Sequence, residues 1–325
     1  MIKLKSSSNT NPEITLLCVI RDERLMLESF LNHYRGLKVD KFVFIDNGSE
    51  DGSASFLMNQ EDCDVYDTSG ESYANADFGV SWVRLILNEE LKDKWCVVVD
   101  ADEFIALERG TLKDLMEDMD KKNQNIAQTC LVEMFPSELN SEGLKDGQGP
   151  EEHSPYYDSS ENCFSYLAHD GSLCVKGGSR QRLFNLQEPA HLTKRSIFKY
   201  DFHKSHYLGV GMHWIFPKAL KTPPYEHTWQ KENLQIWESS NWRLRFKDEL
   251  VIIKHFKFLR SNLLEFFQKR VSRNEDWDSS SEYKKYCQTM PKETKGSATQ
   301  RYINDEQMYK DFDCESPRLI IKHEL

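Results

Sequence analysis

Trp95-Cys96-Val97-Val98-Val99-Asp100-Ala101-Asp102-Glu103-Phe104 changes character abruptly. An apolar run with three consecutive valines stops at three acids separated by one alanine. A short apolar run rich in β-branched residues predicts a buried strand. In an open α/β sheet, the carboxyl end of such a strand is where ligands are held. Clustered carboxylates repel one another unless a positive charge sits among them. Mg²⁺ or Mn²⁺, which prefer oxygen ligands, would supply that charge. The competing reading is a strand followed by a solvated acidic turn.

Upstream of this run the chain alternates. Ile14–Ile20 reads as a buried strand, and Leu27, Phe30, Leu31 and Tyr34 then fall on one helical face, with Gly36 as a stop. Lys41–Asp46 reads as a second strand and Asn47–Ser53 as a dense turn signal. A short helix is expected from Ser53 and a strand near Asp64–Tyr66. Phe78, Trp82, Leu85 and Ile86 space as a further helical face, Thr111 with Asp114 marks a capped helix start, and Ile126–Phe135 reads as a strand. Alternation of this kind predicts an α/β fold with a mostly parallel sheet covered on both faces. Its strand ends would bring together Arg21, Asp22 and Glu23, then Asp46 and Asn47, then Asp100 and Asp102. No GxGxxG follows the first of these strands and no GxxxxGK[ST] occurs, which excludes an ordinary dinucleotide fold and a P-loop NTPase.

The expected organisation is a ligand-binding α/β half at 1–135, a second half of the same domain at 136–270 and a C-terminal extension at 271–325. Residues 137–162 are rich in Ser, Glu, Asp, Gly and Pro and are expected to form a lid or binding loop. Arg195–Tyr200, Tyr207–Met212 and Leu250–Ile253 read as short strands and Ser261–Arg270 as a helix, while 275–317 is polar and weakly patterned.

The chain has 325 residues, 39% hydrophobic and 12% aromatic, so a sizeable core can form. A formal net charge of −11 argues against a general nucleic-acid binder. Eight scattered cysteines without a CxxC pair point to free thiols in a reducing compartment. The apolar run Ile14–Ile20 is too short for a signal peptide, so a cytoplasmic protein is expected and the retrieval-like tail Lys322-His323-Glu324-Leu325 is read as coincidence. Basic and aromatic residues alternate from Trp242 to Arg270, a pattern that can dock at anionic headgroups on the inner face of the cytoplasmic membrane. A mixed solvated surface around a core strand is the competing reading.

Taken together, Val19-Ile20-Arg21-Asp22-Glu23, Phe44-Ile45-Asp46-Asn47-Gly48-Ser49-Glu50-Asp51-Gly52-Ser53 and Val98-Val99-Asp100-Ala101-Asp102-Glu103-Phe104 resemble family 2 glycosyltransferases of the GT-A fold. The likeness is to the bacterial subgroup with DNGSxDGS and DADEF motifs, and these motifs cover the first ~110 residues. Lys176–Phe184 and Leu192–Ile197 look like that subgroup's GGxRxRxF and LxKxPL-like segments. Ile253–Phe258 followed by Glu265–Lys269 is similar to its His-Tyr…Glu-Phe…Lys ending. Ser196 stands where a proline is common and Phe256 replaces a tyrosine, departures that bear on acceptor specificity.

The resemblance implies a GT-A fold and inverting transfer from a nucleotide sugar, a UDP-sugar by preference, to a surface saccharide or its lipid carrier. It implies that Asp100 and Asp102 hold Mn²⁺ or Mg²⁺ at the donor pyrophosphate and that Asp46 reads the base or ribose. His255 is a candidate third metal ligand, with His213 a weaker candidate. Arg21, Asp22, Glu23 and Asn47 would line the donor pocket, although acids at the start of a helix also suit its dipole. Arg180 and Arg182, two apart, would share one face of a strand and clamp a phosphate. Inverting transfer needs a base for the acceptor hydroxyl, and Glu133, Glu103 and Asp201 are candidates. A sugar-phosphate nucleotidyltransferase and a non-catalytic nucleotide- or carbohydrate-binding module remain as alternatives. The former is disfavoured because Arg21-Asp22-Glu23-Arg24 contains no glycine-rich loop.

Overall fold

A computed structural model describes residues 1–139, 142–167, 173–200, 206–213, 215–217, 250–274 and 277–312. A nine-stranded sheet organises them. Its strands in chain order are β1 (Ile2–Lys5), β2 (Ile14–Ile20), β3 (Lys41–Asp46), β4 (Cys63–Asp67) and β5 (Trp95–Val98). They continue as β6 (Glu103–Ala106), β7 (Ile126–Glu133), β8 (Thr193–Lys199) and β9 (Val251–His255). The spatial order is β1-β4-β3-β2-β5-β8-β7-β9-β6. Strands β2, β3, β4, β5, β7 and β9 run one way, while β1, β6 and β8 are antiparallel to their neighbours. The fold is therefore α/β with a mixed, mostly parallel central sheet.

Strand β2 is buried along nearly its whole length, the usual state of a parallel strand covered on both faces. Its side chains alternate between two cores. Leu16, Cys18 and Ile20 pack with α1 (Arg24–Gly36) on one face, and Leu17 packs with α3 (Val80–Glu90) on the other. Helix α1 buries Leu27, Phe30, Leu31 and Tyr34, as their spacing predicts. Each contributes roughly 1.5–3 kcal/mol relative to exposure. The short helix α2 (Ser53–Met58) follows the expected turn. Helix α4 (Leu112–Lys121) opens with a capping box in which Thr111 accepts from the Asp114 N–H and Asp114 accepts from the Thr111 N–H.

Three expectations need correction. Helix α3 starts at Val80, two residues later than a face phased on Phe78 requires, because Asp77, Phe78 and Gly79 all take positive φ. Its buried side is Val80, Trp82, Val83, Ile86 and Leu87, and Leu85 is exposed. Residues 137–162 are not one open loop among the described residues. They contain α5 (Pro150–His153) and a strand, Tyr156–Asp158, paired with Thr299–Arg301. The described residues 277–312 are more ordered than their polarity suggests. After α6 (Gly178–Phe184) and α7 (Leu263–Arg273) come α8 (Trp277–Gln288) and α9 (Asp305–Asp311). Tyr286 of α8 packs against Phe184 and Phe267 in a third core, an aromatic contact between distant segments that polarity along the chain does not reveal.

The described cysteines are free thiols. No helix among the described residues is long and apolar enough to cross a membrane. Asp201, residues 242–249 of the basic–aromatic stretch and the tail 322–325 lie outside the described residues.

Candidate functional site

Strands β3 and β4 lie on one side of β2 and β5 on the other, so the chain reverses its direction of travel across the sheet between β2 and β5. Crevices outside the carboxyl ends of strands at such a point are where open α/β sheets bind ligands. A cavity of about 310 Å³ opens here. Its wall includes Arg21 and Glu23 after β2, Asn47 after β3, Asp100, Asp102 and Glu103 after β5, and His255 at the end of β9. Segments far apart in the chain thus deliver the acids and the histidine to one place.

The positive charge among the three acids is a lysine. Lys194 Nζ donates to both Glu103 carboxylate oxygens at 2.6 and 2.7 Å and lies 3.4 Å from Asp100 Oδ2. The Lys194 and Glu103 side chains are each 2% exposed. The Asp100 N–H also donates to Glu103 Oε2 at 3.0 Å. Burial works against the lysine's proton, and Asp100, Glu103 and Asp102 outweigh it, so its pKa is raised. Lys194 sits where β8 carries one extra residue relative to β7, between Lys194 and Ile197. Bulges of this kind re-aim side chains near functional sites.

Asp102 faces His255, with Oδ2 3.3 Å from Nε2. Burial would raise this carboxyl, but His255, Lys257 and Lys194 hold it well below the usual carboxylate range. Burial lowers the His255 pKa against the pull of Asp102, and its Nδ1 is buried without a hydrogen-bond partner. Among the described residues, no group of three His, Cys, Asp or Glu side chains is arranged to hold a metal ion. The donor set fits a hard cation only as an open site. Mg²⁺ commonly takes one or two carboxylates and completes its shell with substrate phosphates. Asp100 and Asp102, both on the cavity wall, match that description.

The other predicted residues separate. Asp46 is buried and caps its own turn, accepting from the Ser49 N–H at 3.2 Å and from the Ser49 hydroxyl, and it does not line the cavity. Asn47 does line it, with Nδ2 donating to the Thr68 carbonyl at 3.2 Å and the Glu71 carbonyl at 3.1 Å. Asp22 takes φ 60° and accepts from the Glu50 N–H at 2.8 Å. His213 reaches the cavity, with Nδ1 2.7 Å from the Thr193 carbonyl, and burial pushes its pKa down to about 3.

Arg180 and Arg182 do not share a strand face. Both lie on α6, which starts at Gly177 and Gly178 with φ of 110° and 79°. A Cβ on Gly177 would come within 2.5 Å of the Asn162 carbonyl oxygen, so only glycine permits this entry to the helix. On a helix, residues two apart point in different directions. Arg180 turns inward to Glu133 and to Glu282 of α8, while Arg182 pairs with Asp158 away from the cavity at 2.8 Å. Glu133 is buried, clamped by the Arg180 side chain and N–H, and absent from the cavity wall. Glu103 lines the cavity but is held by Lys194. Burial, with Asp100 and Asp102 beside it, raises the Glu103 pKa even against the pull of Lys194.

Sequence reading missed a group of cations in the cavity wall. Lys257, Arg260, Arg270 and Arg273 line the cavity. Arg260 Nη2 meets Glu23 Oε2 at 2.8 Å, and Arg273 Nη2 meets Asp22 Oδ2 at 3.0 Å. Lys257 and Arg260 belong to the basic–aromatic stretch. Among the described residues of that stretch, Lys254 pairs with Glu151 and Asp305 at 2.9 Å, while Lys269 is exposed. The available signal was the i, i+3 spacing of Arg270 and Arg273 on one helix face.

No family model and no curated protein matches the chain. Among solved structures, the crystal structure of HddC from Yersinia pseudotuberculosis superposes with a TM-score of 0.34 at 9% identity, covering 75% of this chain and 93% of that one. A likeness at that level carries no argument about function.

Proposed function

We propose that this chain is a GT-A-like glycosyltransferase that moves a sugar from a nucleoside-diphosphate donor to a saccharide or lipid-linked hydroxyl acceptor. The observation that carries the reading is the cavity between β2 and β5, which is lined both by clustered carboxylates and by Lys257, Arg260, Arg270 and Arg273. Such a cavity suits a ligand that is anionic at its diphosphate and hydroxylated elsewhere. Donated hydrogen bonds from guanidinium and ammonium groups recognise the diphosphate, and carboxylates accept from sugar hydroxyls. Departure of a nucleoside diphosphate leaves charge on its oxygens, and preorganised cations stabilise that charge where it develops. Asp100 and Asp102 would hold a divalent cation, which supplies Lewis-acid stabilisation to the same oxygens. Lys194 holds Asp100 and Glu103 together, and His255 holds Asp102, so the acidic loop is formed before anything binds.

The test is thermal stabilisation by a panel of nucleotides and nucleotide sugars, with Mn²⁺ and then with EDTA. A ligand that binds only the folded state raises the melting temperature, by about 2.7 kcal/mol of stability at a hundredfold excess over Kd. The expected result is stabilisation by UDP and one UDP-sugar, larger with metal. Stabilisation by nucleoside triphosphates and sugar phosphates instead would replace transfer with nucleotidyl transfer. In Asp102→Asn the metal-dependent part of the shift is expected to vanish while the chain still folds, with a lowered ligand-free melting temperature because the charge facing His255 is lost. An unchanged metal response would remove Asp102 from the role.

A further inference from the structure

Two of the ion pairs at the cavity join parts of the chain that are remote in sequence. Arg273 of α7 reaches Asp22 across 251 residues, and Arg260 reaches Glu23 across 237. Arg260 also donates to the Asp22 carbonyl. These contacts fasten α7 and the turn before it to the loop after β2. Both arginines line the cavity. Both pairs are partly buried, with side-chain exposures of 21% for Arg273 and 16% for Asp22, and 24% for Arg260 and 22% for Glu23, and burial pushes the Glu23 pKa up to about 7. The carboxylates are not wholly dependent on the arginines. Asp22 also accepts from the Glu50 N–H at 2.8 Å, and Lys269 Nζ lies 3.8 Å away.

We propose that Arg260 and Arg273 are diphosphate-binding residues whose resting partners are Glu23 and Asp22, so that an anionic ligand competes with these carboxylates for the same guanidinium groups. The inference rests on the reading above only in naming a diphosphate as the anion. A guanidinium binds phosphate and carboxylate oxygens with the same planar fork, so one can replace the other without a change of rotamer class. Partly exposed pairs are worth less net free energy than sealed ones and exchange partners at lower cost. The exchange would loosen α7 from the loop after β2 at the moment its arginines engage the ligand.

The consequence is a pair of opposite signs. Removing an arginine weakens binding. Neutralising its carboxylate partner frees the arginine and strengthens binding. The experiment is calorimetric titration of inorganic pyrophosphate into the full chain in EDTA, comparing the parent with Arg273→Gln, Arg260→Gln, Asp22→Asn and Glu23→Gln. Asn suits position 22, since it tolerates φ 60° and keeps an oxygen for the Glu50 N–H. The expected result is a Kd raised about tenfold or more by either arginine change, equivalent to ~1.4 kcal/mol. Asp22→Asn and Glu23→Gln are expected to lower Kd severalfold. A purely structural latch would move both members of a pair in the same direction, and that result overturns the proposal, as does a parent chain that does not bind pyrophosphate. If Asp22→Asn fails to fold, the Glu23→Gln and Arg260→Gln pair decides alone. Opposite signs with pyrophosphate, but no response to any nucleotide sugar, would retain the anion site and discard the transferase reading. The reverse pattern would retain the transferase and discard the competition.

Discussion

The Lys194–Glu103 and Arg273–Asp22 pairs both contribute to the wall of one cavity and differ in depth. The first is sealed, with both side chains 2% exposed and Glu103 accepting three hydrogen bonds. The second is partly exposed on both partners, at 21% and 16%. Charges removed from water must have their partners in place permanently, because an uncompensated buried charge costs several kcal/mol. Charges left at the rim can trade partners with a ligand, because water and salt share the cost. One part of the cavity wall is therefore a fixed scaffold and another is exchangeable.

The largest expected effect tests the fixed side. Lys194→Met leaves Glu103 buried without its cation and should cost about 3–5 kcal/mol in chemical denaturation. That loss should depend on pH with a defined sign. Without the lysine, the folded-state pKa of Glu103 lies above the value of ~4.3 expected when unfolded. The folded state then binds more protons than the unfolded chain, so the variant's stability is recovered below about pH 4.3 and lost as pH rises through the folded value. A flat pH response, or a loss under about 1 kcal/mol, would place this pair with the exchangeable ones. Next comes Gly177→Ala, which forces a Cβ toward the Asn162 carbonyl at φ 110° and disturbs the start of the helix carrying Arg180. Its expected cost is about 1–3 kcal/mol, read as a lowered melting temperature. The smallest effect is on the open side. Arg273→Gln should change stability by less than about 1 kcal/mol, and the difference should fade in 1 M salt. A larger, salt-insensitive loss would show that α7 is fastened as firmly as Lys194 is.

Much of the first third of the chain was legible because its signals are local. The apolar run Ile14–Ile20, the helical face Leu27, Phe30, Leu31 and Tyr34, and the Thr111–Asp114 box each specify their own element within a few residues. Asp100 and Asp102 were legible as cavity residues because a strand end predicts where a loop emerges. Asp46 is engaged with its own turn, where the Ser49 N–H and hydroxyl donate to it, a role that a carboxylate before Asn-Gly can take as readily as a ligand contact. Arg180 and Arg182 were misread because spacing by two has meaning only on a strand, and the positive φ values of Gly177 and Gly178 start a helix instead. Glu282 had no readable signal, as its role depends on α8 packing over Phe184.

The sequence by itself determined the alternation of strands and helices, the two-faced burial of β2 and the delivery of acids to the strand ends. These follow from side-chain periodicity and turn chemistry, which act over a few residues. Only the tertiary structure decided which cation meets which acid. Lys194 lies 91 residues from Glu103, and Arg273 lies 251 from Asp22. No local pattern encodes such pairings. They arise when the sheet order and the packing of α7 bring the charges together, and the depth at which each pair comes to rest sets whether it is scaffold or exchange site.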